Sequence, residues 1–150
     1  MKGFNERIHS TMKTLVYQDF PACAKEIRKK VFIEEQGFQS EFDEIDGSAV
    51  HLVAFSDVGT PVATCRVFRN PAVDSYTLGR LAVLKAYRHQ DIGSCLVKEA
   101  EKYVRSAGGK DMTLHSQCQA APFYRKLGFT EYGQVEDEQG CPHIWMRKAF

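Results

Sequence analysis

Tyr76-Thr77-Leu78-Gly79-Arg80-Leu81-Ala82-Val83 runs into Leu84-Lys85-Ala86-Tyr87 and then into Arg88-His89-Gln90-Asp91-Ile92-Gly93-Ser94. A strand-like segment feeds a short turn, and the turn feeds an amphipathic helix. Amide N–H groups at a helix start lack acceptors within the helix and lie at the positive end of its dipole, so they can hold a phosphate. Arg88 adds a fixed charge beside them, and Gly93 lets a ligand come close to the main chain. The stretch therefore reads as an anion site built from backbone, with no obligatory metal. The plainer reading of the same residues is an ordinary strand-to-helix turn with a charged surface.

Outward from this loop, Ile92, Leu96, Val97, Ala100, Tyr103 and Val104 form the buried stripe of a helix that stops at Gly108-Gly109. Met112 to His115 is a short strand, and Ala120 to Leu127 is a short helix ended by Gly128. Thr130 to Gln134 and His143 to Lys148 close the sheet as a hairpin. Toward the N-terminus, Thr14 to Tyr17 reads as a first strand, and Asp19 caps a helix with Pro21 in its first turn. Phe20, Ala24, Ile27 and Val31 fall on one face of that helix. From Glu34 to Gly47 the chain turns acidic and irregular, too polar for core and long enough to form part of a site. Ala49 to Phe55 and Val62 to Phe68 are strands joined by a hairpin-length turn, and Asn70 to Ser75 turns into the Tyr76 strand. Strands grouped before and after helices indicate a mixed α/β sheet, mainly antiparallel.

With 150 residues and no repeat or linker, the chain suits one domain over 1–150. A net charge of +1 argues against nucleic acid as the main partner. The five cysteines are odd in number, widely spread and without a Cys-x-x-Cys pair, which argues against a disulfide framework or a zinc site. Met1 to Lys13 has no apolar core for a signal peptide, and no run approaches the ~20 apolar residues of a membrane span. A reduced, cytoplasmic protein is the default expectation, with no membrane partner.

The segment Arg88 to Gly93 resembles the coenzyme A loop of the GNAT acetyltransferases, Gln/Arg-x-x-Gly-x-Gly/Ala, with Asp91 where the first glycine usually stands. A second block of that family follows at Ala121-Pro122-Phe123-Tyr124-Arg125-Lys126-Leu127-Gly128-Phe129. Val31 to Gln36, Glu44 to Gly47, His51-Leu52 and Pro142-His143-Ile144 extend the likeness to the small bacterial ElaA-type and YjcF-type branch. The resemblance implies a GNAT-like α/β fold whose two central parallel strands, here 76–83 and 111–117, splay apart. It also implies an acetyl-CoA-dependent N-acetyltransferase that acts on a primary amine without metal. Pantetheine would pair with the main chain of Leu81, Ala82 and Val83, as an added strand does. The diphosphate would lie on Arg88, His89, Gln90, Asp91, Ile92, Gly93 and Ser94, with Gln117, Phe123 and Lys126 also on the cofactor. Asp91 beside a diphosphate is repulsive unless it turns outward and caps the helix that Ile92 begins.

In that family the tyrosine matched by Tyr124 protonates the departing thiolate; a tyrosine so placed in other folds simply packs. The base that takes the amine's proton is sought among Glu34, Glu35, Glu44 and Asp46, with Glu34 and Glu35 as the catalytic candidates, or a water relay in their place. Many family members carry a glutamate on the strand before the loop, and here that residue is Arg80. His143 and Glu44 are the acceptor-binding candidates. His51 and His115 read as structural strand histidines, Trp145 as packing, and a His115/Cys118 nucleophile pair is disfavoured because acyl transfer in the family is direct. The acidic segment suggests a cationic small molecule or a peptide amine as acceptor, and the family permits a homodimer. Two rival classes are an acyl-CoA-binding module without turnover and a nucleotide-binding α/β protein. The chain lacks both Gly-x-Gly-x-x-Gly and a P-loop ending, which weighs against the second rival.

Overall fold

Residues 12–39 and 41–150 are described by a computed structural model. Strands β1 (Lys13–Tyr17), β2 (Val50–Phe55), β3 (Pro61–Asn70), β4 (Ser75–Val83), β5 (Asp111–Gln117), β6 (Thr130–Glu138) and β7 (Cys141–Ala149) form a single sheet in the order β1-β2-β3-β4-β5-β7-β6. Every neighbouring pair is antiparallel except β4 with β5. The interior strands alternate between two cores because successive side chains point to opposite faces. Leu52 and Ala54 pack with Leu96, Val97, Ala100 and Val104 of helix α2 (Ile92–Ser106), while Val53 packs with Ala24, Ile27 and Val31 on the other face. Those last residues belong to helix α1 (Ala22–Arg28) and to the π-helical turns Lys29–Glu35 that continue it. Helix α3 (Ala121–Lys126) adds Ala121 and Tyr124 to the α2 side. Among the described residues, no helix is long and apolar enough to cross a membrane.

The opening of the sheet has a local cause. Parallel pairing of β4 with β5 covers only Tyr76↔Met112, Thr77↔Thr113 and Leu78↔Leu114. Immediately beyond, Arg80 adopts φ 52°, and Arg80 and Leu81 together oppose Cys65 between the pairs Thr64↔Ala82 and Arg66↔Gly79. A bulge of this kind bends its strand and increases the local twist. Gly79 to Val83 thus swing away from His115 to Gln117, and their backbone groups on that side face a gap. The mixed, mainly antiparallel sheet is the one the strand pattern predicts, and its parted central strands are what the family resemblance implies.

Three local expectations need correction. Asp19 does not cap α1: the helix starts behind Pro21, whose backbone is extended, and no side chain caps it. Glu34 and Glu35 are not in an irregular loop but in wide helical turns, where the Gln36 N–H reaches back to the Val31 carbonyl at 3.1 Å. The last hairpin is longer than the apolar pattern suggests. It turns at Gln139-Gly140, both with positive φ of 52° and 80°, as a two-residue hairpin turn requires. The added part of β6, Val135 to Glu138, is an exposed edge, and its polar and charged residues hide it from a hydrophobic pattern.

Candidate active site in the opened sheet

The gap between β4 and β5 widens into a cleft of about 980 Å³. Its walls include Leu81, Ala82 and Val83 from the bulged strand, His89, Asp91, Ile92, Gly93 and Ser94 from the start of α2, and Gln117 from the end of β5. Arg88, Phe123, Tyr124, Lys126 and His143 also line it, so most residues expected at the cofactor converge on one cavity. Gln90 is exposed and lies off the wall. The first bond of α2 runs from the Cys95 N–H to the Asp91 carbonyl at 3.0 Å, so the amides of its opening turn are at the cleft. Gly93 keeps that turn close to its neighbours: a Cβ there would meet Phe123 Cζ at 3.4 Å and Val83 Cγ2 at 3.6 Å.

Asp91 takes the glycine's conformation as well as its place. Its φ is 63°, in the left-handed region that aspartate tolerates better than most residues, and its side chain makes no capping hydrogen bond. The capping expectation therefore fails, because the residue spends its geometry on the turn. Asp91→Gly removes both backbone strain and a negative charge beside the helix start. The expected outcome is acetyl-CoA affinity about two- to fivefold tighter by calorimetry. Unchanged or weaker binding would show that this carboxylate does not oppose the ligand.

Arg88 is already engaged. Its Nε donates to the Val83 carbonyl at 2.9 Å, and its two terminal nitrogens donate to Glu35 at 2.6 Å each. The hydrogen bond from Arg88 holds the Glu35 carboxyl below its ordinary pKa. A polyanion arriving at the loop competes with Glu35 for this guanidinium. Gln117 likewise donates to Gln36 at 3.0 Å across the mouth.

Tyr124 is 8 % exposed, edge-on to Phe123 at 4.9 Å and to Phe129 at 6.0 Å. Burial, with a smaller effect of Cys65, pushes its hydroxyl above the ordinary phenol range, so it carries its proton at working pH.

The acidic segment holds a feature that composition concealed. Expected to be too polar for the core, it buries Glu41 and Asp46 against Arg28, which is only 1 % exposed. Arg28 Nε donates to Glu41 at 2.9 Å, and its terminal nitrogens donate to both oxygens of Asp46 at 2.7 and 3.0 Å. Arg66 donates to Asp43 at 2.6 Å and to Asp46 at 2.9 Å. Arg80 closes the set, 2.8 Å from Glu41 and 3.3 Å from Asp43. Burial drives Glu41 upward against the pull of Arg28 and Arg80. Burial pushes Asp46 up too, but hydrogen bonds led by Arg28 outweigh it and bring the group down to about 2. Arg80, standing where a glutamate is common, thus anchors this segment to the bulge.

The carboxylates expected to act on the acceptor are not on the cleft wall. Glu34 and Glu44 are exposed and lie off it, and Glu35 faces Arg88. Besides Asp91 at the start of α2, the acidic residues that line it are Glu41, Asp43 and Glu138, alongside His115, His143 and Trp145. None of these three carboxylates follows a periodic signal. Glu41 and Asp43 come from the irregular stretch and Glu138 from the polar edge of β6. Among the described residues no group of His, Cys, Asp and Glu side chains is arranged to hold a metal ion.

The cleft thus presents unpaired strand backbone along one wall and the amides of a helix start at one end. The family model of the acetyltransferase (GNAT) domain matches residues 11–150, and the chain belongs to that family. It is 39% identical over 132 residues to a Bacillus subtilis protein assigned as an acetyltransferase, covering 83% of this chain and 86% of the relative. The uncharacterized N-acetyltransferase YjcF of Bacillus subtilis is 33% identical over 126 residues, 81% of this chain and 87% of its own. A crystal structure from Lactobacillus plantarum, assigned as an N-acetyltransferase, superposes with a TM-score of 0.84 at 28% identity, covering 92% of this chain and 97% of the other.

Proposed function

We propose that the protein transfers the acetyl group of acetyl-CoA directly to a primary amine. The observation that carries this reading is the parting of β4 from β5 after Leu78 and Leu114, with the first turn of α2 at the end of the gap. Pantetheine lies along Leu81 to Val83 as an added strand, and the diphosphate sits on the amides of Ile92, Gly93 and Ser94, with Arg88 released from Glu35 to join it. A backbone N–H of the bulge faces the thioester oxygen. A donor set in advance there contributes ~3–4 kcal/mol of transition-state stabilisation. Tyr124 protonates the departing thiolate. A free thiol near pKa ~8.5 and a phenol near ~10 are close to matched, and the burial that raises one anion raises the other. One domain, residues 1–150, supplies the whole donor site.

The acceptor enters from the face carrying Glu138 and His143, where the Glu138 carboxylate favours a cationic amine, Asp43 being already paired with Arg66 and Arg80. Thiol release from acetyl-CoA is the test, with spermidine, glucosamine and a lysine-containing peptide set against amines that carry a carboxylate or phosphate. Turnover with the cationic group supports the reading. Tight acetyl-CoA binding with no transfer to any amine would favour a sensing module, and activity confined to anionic amines would refute the charge assignment.

A further inference from the structure

Two imidazoles meet on the cleft wall that faces away from α2. His115 is the first residue of β5 beyond its last pair with β4, and His143 lies on the adjacent β7. Their ring centroids are 5.1 Å apart, and His115 is stacked on Trp145 at 4.8 Å. They share one carboxylate, since Glu138 Oε2 is 3.2 Å from His115 Nδ1 and 3.5 Å from His143 Nε2.

The informative contact is on the other side of His143, where Nδ1 is 2.8 Å from the Cys141 carbonyl. A carbonyl oxygen only accepts, so Nδ1 carries the hydrogen, and in the neutral ring Nε2 then carries the lone pair. Glu138 as a carboxylate has no hydrogen to give it. His143 Nε2 is therefore the nitrogen on this wall whose free electron pair is fixed by its surroundings. His115 differs: a carboxylate oxygen stands near each of its nitrogens, Glu138 at 3.2 Å and Glu136 at 3.1 Å, the second without hydrogen-bond alignment. The charged and titratable groups around His143 are His115 from β5, Cys118 from the turn after it, Glu136 and Glu138 from β6, and Cys141 from its own strand. Across the cleft stand Asp43 and Arg80.

We propose that His143 is the general base of the transfer and that His115, held between Trp145 and His143, is a positioning residue for it. The proposal rests on the amine-acetylation reading above. His143 Nε2 takes one proton from the acceptor ammonium. The freed nitrogen lone pair forms the C–N bond, and the carbonyl carbon becomes tetrahedral. Collapse breaks the C–S bond, and the sulfur takes its proton from Tyr124, which recovers the second proton lost by the nitrogen. The imidazolium, balanced by Glu138, then gives its proton to solvent, so one proton is released per acetyl group moved.

The test compares wild type with His143→Gln, using the fastest of the three cationic amines above and methoxyamine, which is already neutral at pH 7 and needs no ammonium deprotonation. The expected result is a loss of about 100-fold or more with the alkylamine, a much smaller loss with methoxyamine, and disappearance of the acidic limb of the wild-type kcat/KM profile. Acetyl-CoA affinity stays within a factor of two. Glu138→Gln, which leaves the imidazole in place, shows the same pattern with a smaller loss. Nitrogen NMR of the neutral wild-type protein shows His143 with hydrogen on Nδ1. Equal losses with both amines, no loss with either, or hydrogen on Nε2 would each overturn the assignment. Wild type inactive toward every amine would sink the acetyltransferase reading and this inference with it, whereas transfer insensitive to His143 sinks this inference alone.

Discussion

Tyr124→Phe lowers kcat for acetyl transfer by about 10²–10³-fold and leaves acetyl-CoA affinity unchanged. The hydroxyl is the only group removed, and the ring keeps its edge-on contacts with Phe123 and Phe129, so the melting temperature moves little. Without a positioned acid the thiolate must leave unprotonated or take its proton from water. The loss falls on kcat rather than on binding, because the interaction develops only as the C–S bond breaks. Buried as it is, the hydroxyl stays protonated well above neutral pH, so its role sets no alkaline limit near pH 8. Full turnover by the variant would return Tyr124 to packing alone.

The second large effect is on stability. Arg28→Ala removes the guanidinium that faces Glu41 and Asp46 at 1 % exposure and leaves two buried carboxylates with fewer partners. Breaking a buried ion pair by deleting one member costs about 3–5 kcal/mol. For a domain of this size that lowers the melting temperature by about 6–20 °C. Phe20 and Phe42 lie over the same guanidinium at 4.7 and 5.4 Å and lose that contact as well.

The pH dependence of stability follows from Asp46. Its folded-state pKa, about 2, lies below the 3.8 of a free aspartate. The stabilisation is therefore complete above about pH 4 and is lost as pH falls through about 2, an effect of about 2 kcal/mol. Wild-type stability thus declines on the acid side, and in Arg28→Ala the decline is shallower because the hydrogen bonds that lower Asp46 are gone. A melting temperature within 2 °C of wild type, or an unchanged acid slope, would show that the network contributes little.

The strand, turn and helix that form the proposed donor side of the cleft were legible in the sequence because their signals are local. Strand, turn and helix from Tyr76 onward follow from periodicity, and the Ile92 stripe gives α2 its buried face. Family likeness supplied the parted strands, and the bulge at Arg80 gives that parting its mechanism. No pattern in Gly79-Arg80-Leu81 announces a left-handed arginine, since the conformation is imposed by pairing with β3. The opposite wall and the acidic segment behind it were harder to read because their residues come together only through long-range contacts. Glu41 and Asp46 look like surface charges until Arg28, on α1, and Arg66, on β3, are folded onto them. Glu138 reaches the cleft because β6 extends past Gln134 to a two-residue turn, and the polar edge residues hid that extension. Asp91 is the discordant residue of the loop pattern, and its left-handed backbone, not a capping bond, accounts for its place.

All of these roles depend on one ligand entering one gap. Titrating the purified protein with acetyl-CoA in a calorimeter tests that directly: the account predicts saturable uptake at one site per chain, weakened when acetyl-pantetheine without the diphosphate is used instead. No heat of binding from folded protein, or equal affinity for the two thioesters, would contradict it.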